Sequence, residues 1–140
     1  MNTLHLVHSS FLLLVAPFVY LLIKSPTTPW QETVMFHFYL TNFMLSVLFW
    51  STITIETLYG WIHRIDAFLA KISSCLTIFY VLLYKSYYKK MVFSVFTFLL
   101  FLFFYLSHIS SRQQWGSYNH LYYHRCLHIA GSIGICFVFL

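Results

Sequence analysis

Three histidines recur at four-residue intervals in the run Asn119-His120-Leu121-Tyr122-Tyr123-His124-Arg125-Cys126-Leu127-His128. On a helix, each step of four turns the chain by about 40° and climbs about 6 Å, so neighbouring members share one face. Two imidazoles so placed can meet one tetrahedral zinc at about 2 Å each. His120 and His128 are about 12 Å apart along the axis, too far to share an ion without distortion. The ligand pair is therefore expected to be His124 and His128. Ala130, Gly131, Ser132 and Gly134 follow them, small residues that let a neighbouring helix come close. His120 is then a residue supporting the ligands or flanking their entry.

A second cluster is His63-Arg64-Ile65-Asp66. His63 and Asp66 are three apart and share a helical face. Asp66 near a helix start suits the macrodipole, and it also suits the orientation of a ligand histidine or a metal-bound water. His63 is a candidate third ligand. Lys71 is placed to snorkel, or to pair with Glu56 or Asp66. Ser46, Trp50 and Ser51 lie late in an apolar run, where serines ordinarily bond back to their own helix or to a neighbour. His5, His8 and His37 receive no role.

The elements that must position these residues are membrane helices. The chain has 140 residues, 60% hydrophobic and only 8% charged, where soluble domains carry roughly 25% charge. The expected fold is all-α, one integral membrane bundle of about five transmembrane helices forming a single domain over residues 1–140. The spans are expected at about Leu4–Ile23, Val34–Ile55, Ile65–Tyr84, Met91–Ser107 and His120–Leu140. Lys24 to Pro29, Glu56 to Arg64, Lys85 to Lys90 and His108 to Asn119 are expected to connect them. About 20 apolar residues cross the hydrocarbon layer as a helix, and barrel strands would alternate over about ten. Pro17 is expected to kink the first span, which reads as a retained span rather than a cleaved signal. Cys75, Cys126 and Cys136 form no C-x-x-C pair, so neither a disulfide framework nor a cysteine-rich zinc site is expected.

Parity bears on function. With five spans, the starts of the third and fifth face the same side. His63 and Asp66 therefore gather in one leaflet with His120, His124 and His128. Arg64, Arg112 and Arg125 lie at that end, and Lys24, Lys85, Lys89 and Lys90 at the other. The positive-inside rule places the lysine end in the cytoplasm. The net charge of +5 is thinly scattered and does not point to nucleic acid. The expected surroundings are membrane lipid, and a site within one leaflet points to a lipid or another apolar ligand.

With Asp66 opening the third span, His124-x-x-x-His128 opening the last and Ser46 late in the second, the chain resembles the superfamily of alkaline ceramidases and progestin/adipoQ receptors. Those are seven-helix membrane proteins with Ser-x-x-x-His, Asp and His-x-x-x-His motifs. The resemblance implies zinc-dependent hydrolysis of lipid amides, with His63, His124 and His128 on zinc. Asp66 would take the proton of the bound water or orient a ligand, and Ser46 would hydrogen-bond the oxyanion. The residue four after Ser46 is Trp50 where the family has histidine, and two helices fewer separate Asp66 from the histidine pair. Ile62-His63-Arg64-Ile65-Asp66 also resembles the His-Arg signature of the cytochrome-b anchor subunits of succinate dehydrogenase. That resemblance implies a b-type haem between His63 and His124, a quinone nearby and partner subunits. A third reading is an accessory membrane subunit without a site, its Phe and Tyr residues packed against partner helices.

Overall fold

The computed structural model describes residues 4–52 and 60–140, with only the backbone at positions 4 and 5. The described residues form an all-α bundle of five rods. The first is composite: α1 (Leu4–Ser10), a 3₁₀ stretch (Phe11–Leu14) and α2 (Val15–Ile23). Pro17 accounts for the break. It has no N–H for the carbonyl of Leu13 and its ring clashes there, so the chain tightens over the preceding turn. The other rods are α3 (Trp30–Thr52), α4 (Trp61–Tyr84), α5 (Tyr87–Gln113) and α6 (Tyr118–Phe139).

Four rods are long and apolar enough to cross a membrane: Leu6–Ile23, α3, α4 and α5. The fifth expected span, α6, is not among them. Its N-terminal half carries Asn119, His120, His124, Arg125 and His128, which lower its mean hydropathy. It is also well enclosed, with eight buried residues. By contrast α5 buries only Ser107 and shows Phe98, Phe101, Phe104 and Tyr105 on its outside, as a helix facing lipid would.

Several boundaries differ from the sequence reading. α3 begins at Trp30 rather than Val34, because Pro29 fits the position before a helix and its carbonyl accepts from Glu32 N–H at 3.0 Å. The expected end of that span at Ile55, and the connection from Glu56 to Tyr59, lie outside the described residues. α4 starts at Trp61 behind an extended Gly60. The lysine-end connection shrinks to Lys85 and Ser86. At the other end α5 runs on to Gln113, since nothing in His108–Arg112 breaks a helix. Gly116, at φ 73°, makes the turn into α6, a backbone conformation that favours glycine. Ser117 Oγ then caps α6 by accepting from His120 N–H at 3.3 Å.

Buried hydrogen bonds tie the rods together. Ser9 and Ser10 on α1 reach His128 on α6 (3.1 Å) and Ser46 on α3 (2.9 Å). Between α3 and α4, Asn42 Nδ2 donates to Ser73 Oγ at 2.6 Å and Tyr39 bonds Thr77. One turn further down, Glu32 Oε1 accepts from Tyr80 OH at 2.5 Å and Lys85 Nζ at 2.8 Å. The apolar core divides accordingly. Leu6, Phe49 and Trp50 pack at the histidine end. A larger cluster that includes Tyr20, Met35, Val81 and Phe139 packs at the lysine end.

α5 and α6 make the most extensive helix pair, and small residues permit it. A Cβ on Gly134 would stand 2.9 Å from Phe96 Cβ, whereas one on Gly131 would meet Leu100 Cδ1 at an ordinary 3.6 Å. Gly134→Ala should therefore force the helices apart and destabilise the bundle by about 1–3 kcal/mol, the usual range for overpacking. Gly131→Ala should stay close to wild type. Unfolding of the two variants in mixed micelles, followed by circular dichroism, checks the difference; equal stability would refute it.

Candidate functional site

The imidazoles do converge. His124 lies within electrostatic range of His63, His120 and His128. Its ring centroid is 4.9 Å from that of His128 and 6.0 Å from that of His120, the rings near perpendicular in both cases. His120 and His128 are 2% and 6% exposed. α6 supplies three of the four, stacked on the face that its four-residue spacing dictates. His63 comes from the first turn of α4. The starts of α1, α4 and α6 and the ends of α3 and α5 thus meet at one end of the bundle.

Trp50, 2% exposed, is the packing centre of this end. Its ring stands edge-on to His124 at 5.0 Å, 6.5 Å from His120, and nearly parallel to Trp115 at 6.1 Å. His120 packs against Trp115 at 4.6 Å, and His63 lies between Phe49 (4.9 Å) and Trp115 (6.3 Å). Indole and phenyl rings thus wall the imidazoles, and a dry surround strengthens every polar interaction inside it.

The hydrogen bonds assign one of the tautomers. Ser9 Oγ lies 3.0 Å from the carbonyl of Leu6 and 3.1 Å from His128 Nδ1, and Ser10 Oγ reaches the same carbonyl. The Ser9 proton can serve either acceptor, so this contact fixes the position of the His128 ring and not its tautomer. For His120 the tautomer follows from its partner: its Nδ1 accepts from Gly116 N–H at 3.1 Å, which puts the ring proton on Nε2. His120 therefore closes the α5–α6 turn, and its Nε2 has no lone pair for a metal. His124 Nδ1 faces Ser107 Oγ at 3.4 Å.

The remaining expected site residues are placed as follows. Ser46 Oγ, buried, bonds Ser10 Oγ at 2.9 Å. Ser10 Oγ also reaches Leu6 O at 2.9 Å, so Ser46 is engaged with α1. Acting on an oxyanion would require turning it away from Ser10. Asp66 is half-buried one turn along α4 from His63, and among the described residues it makes no hydrogen bond or ion pair. Lys71 is exposed and forms no ion pair with Asp66; Glu56 lies outside the described residues. Among the described residues, no three His, Cys, Asp or Glu side chains gather closely enough to hold one metal ion. His124 and His128 lie as a pair, whereas a catalytic zinc takes three ligands from the protein.

The sequence reading missed Ser9, Ser10, Ser107 and Trp115. The adjacent serines in the first apolar run were the available signal, since a hydroxyl inside a membrane helix needs a partner. Compared with known protein families, curated proteins and solved structures, the chain matches none.

Histidine-selective ¹⁵N NMR should find His120 as the Nε2–H tautomer. Ser9→Ala should cost roughly 1 kcal/mol of stability, as loss of a typical buried hydrogen bond does. A His120 signal in the Nδ1–H form in wild type would contradict the geometry.

Proposed function

We propose that this chain is a multi-pass membrane protein whose His124–His128 pair binds a transition-metal ion, zinc by its nitrogen donors, in the manner of the lipid amide hydrolases that its motifs resemble. The observation that carries the reading is the pair itself. Two buried rings stand 4.9 Å apart, each with Nδ1 at a serine hydroxyl. Metal-bound imidazoles are held in this way, through the second ring nitrogen.

The third donor in this reading is His63, already within electrostatic range of His124. It reaches the pair if the start of α4 shifts toward α6, across a seam where those two helices touch sparsely. Asp66, one turn further along α4, orients His63 or the ion's water. His120 holds the α5–α6 turn, and Ser46 holds α3 to α1. Bound there, zinc would supply a water with a pKa near 7 and polarise an amide carbonyl. A site beneath one membrane surface suits a substrate carried in the lipid. The haem reading finds less support, because Phe49, Trp50 and Trp115 occupy the space beside His63 and His124 that a porphyrin would need.

Protein purified in detergent, loaded with zinc and dialysed, should retain about one equivalent by elemental analysis. His124→Ala and His128→Ala should each lose it, His63→Ala should weaken it, and His120→Ala should keep it. Retention below a tenth of an equivalent in the wild type would end the proposal.

A further inference from the structure

At the lysine end the structure carries a feature that the metal reading does not use. α4 and α5 diverge after their two-residue turn and leave an apolar groove of about 280 Å³. Ile78, Val81 and Leu82 wall it from α4, and Phe93, Thr97 and Phe101 from α5, with Lys90 beside them. Lys90 to Phe101 is about 16 Å of helix, close to half of the roughly 30 Å hydrocarbon layer. The groove therefore spans the depth of one leaflet.

Three lysines at its head, Lys85, Lys89 and Lys90, face a single carboxylate among the described residues, that of Glu32, which attracts Lys89 as well as Lys85. Lys85 is committed to Glu32, at 2.8 Å with both side chains largely buried. Lys89 and Lys90, half-buried one turn along α5, form no ion pair among the described residues. Tyr84, Tyr87 and Tyr88 flank them, 61%, 78% and 71% exposed, the aromatic collar that marks a membrane–water boundary. A helix start with two lysines would be unremarkable alone. Here it stands above an apolar channel of acyl-chain length.

We propose that the α4–α5 groove is a binding site for an anionic phospholipid, one acyl chain lying along the groove and the phosphate held by Lys89 and Lys90. Charge complementarity selects the headgroup class, because each basic residue at a membrane surface favours anionic lipid. The groove selects a chain-bearing lipid over a free anion. The site is independent of the histidines and stands whether or not they bind metal.

Native mass spectrometry of the detergent-purified chain with phosphatidylglycerol or phosphatidylcholine of identical chains tests it. The proposal expects phosphatidylglycerol to bind at least about tenfold more tightly. The K89Q/K90Q variant should lose that preference by a similar factor. Thr97→Trp, which fills the groove and leaves the charge, should lower binding of phosphatidylglycerol as well. Lys24→Gln, a lysine outside the groove, should leave it unchanged, and circular dichroism should show all variants helical. Equal binding of the two lipids, or full binding of phosphatidylglycerol by a folded Thr97→Trp protein, would overturn the proposal.

Discussion

A polar side chain inside an apolar layer has no water to turn to, so it must find its partner within the protein. This bundle answers that constraint with a line of bonds along its length, while Asn42 Oδ1, Arg125 Nε and Ser132 Oγ stay buried without a partner among the described residues. From the histidine end, His128 meets Ser9, Ser10 meets Ser46, Asn42 meets Ser73, Tyr39 meets Thr77, and Glu32 meets Tyr80 and Lys85. Each of these bonds joins two different helices. The polar residues thus act as the fasteners that apolar packing alone would not provide, since lipid tails compete equally well for apolar surface.

The fasteners are unevenly distributed. α4 is tied to α3 at three levels, and α1 is tied to α3 and α6. α5 is held to α6 by close approach at Gly134 and by the Ser107–His124 contact. Across the seam from α4 to α5 and α6, contacts are sparse. That seam accounts for two observations at opposite ends of the molecule. It leaves the groove below Lys90, and it leaves His63 near the α6 imidazoles without gathering it into a ligand set.

Much of this was legible in the residues. The apolar runs located the rods, the four-residue spacing placed three imidazoles on one face, and parity brought His63 to the same end. The tail of small residues announced a close helix, which is α5. Other parts were hidden for physical reasons. Glu32 fell just before the span expected from Val34, because the polar stretch up to Pro29 masked a helix that starts directly after it. Serine in an apolar run can always bond its own backbone, and Ser9 and Ser10 do so while also bridging to other helices. Spacing could not show that Trp50 would stand edge-on to His124. Nor could it show that His120 carries its proton on the nitrogen a metal would need. Both depend on partners distant in sequence.

The arrangement of the bundle follows from the two halves of α6. Its first half holds three histidines and an arginine, and its second half sets a face of small residues against Ile129, Ile133 and Phe137 on the outside. Lipid would penalise the first half, and the small residues of the second half offer a neighbouring helix a close approach. Enclosure answers both demands: α1 supplies a serine for His128, α3 an indole for His124 and α5 a hydroxyl, while Gly131 and Gly134 let α5 close over the rest. α5, with its unbroken phenyl-rich surface, takes the lipid-facing place instead. A chain that had no use for buried imidazoles could have dispensed with this inner helix, and four apolar rods would have sufficed to make a membrane bundle. Enclosing α6 is the condition under which three imidazoles can lie inside a bundle of otherwise apolar rods.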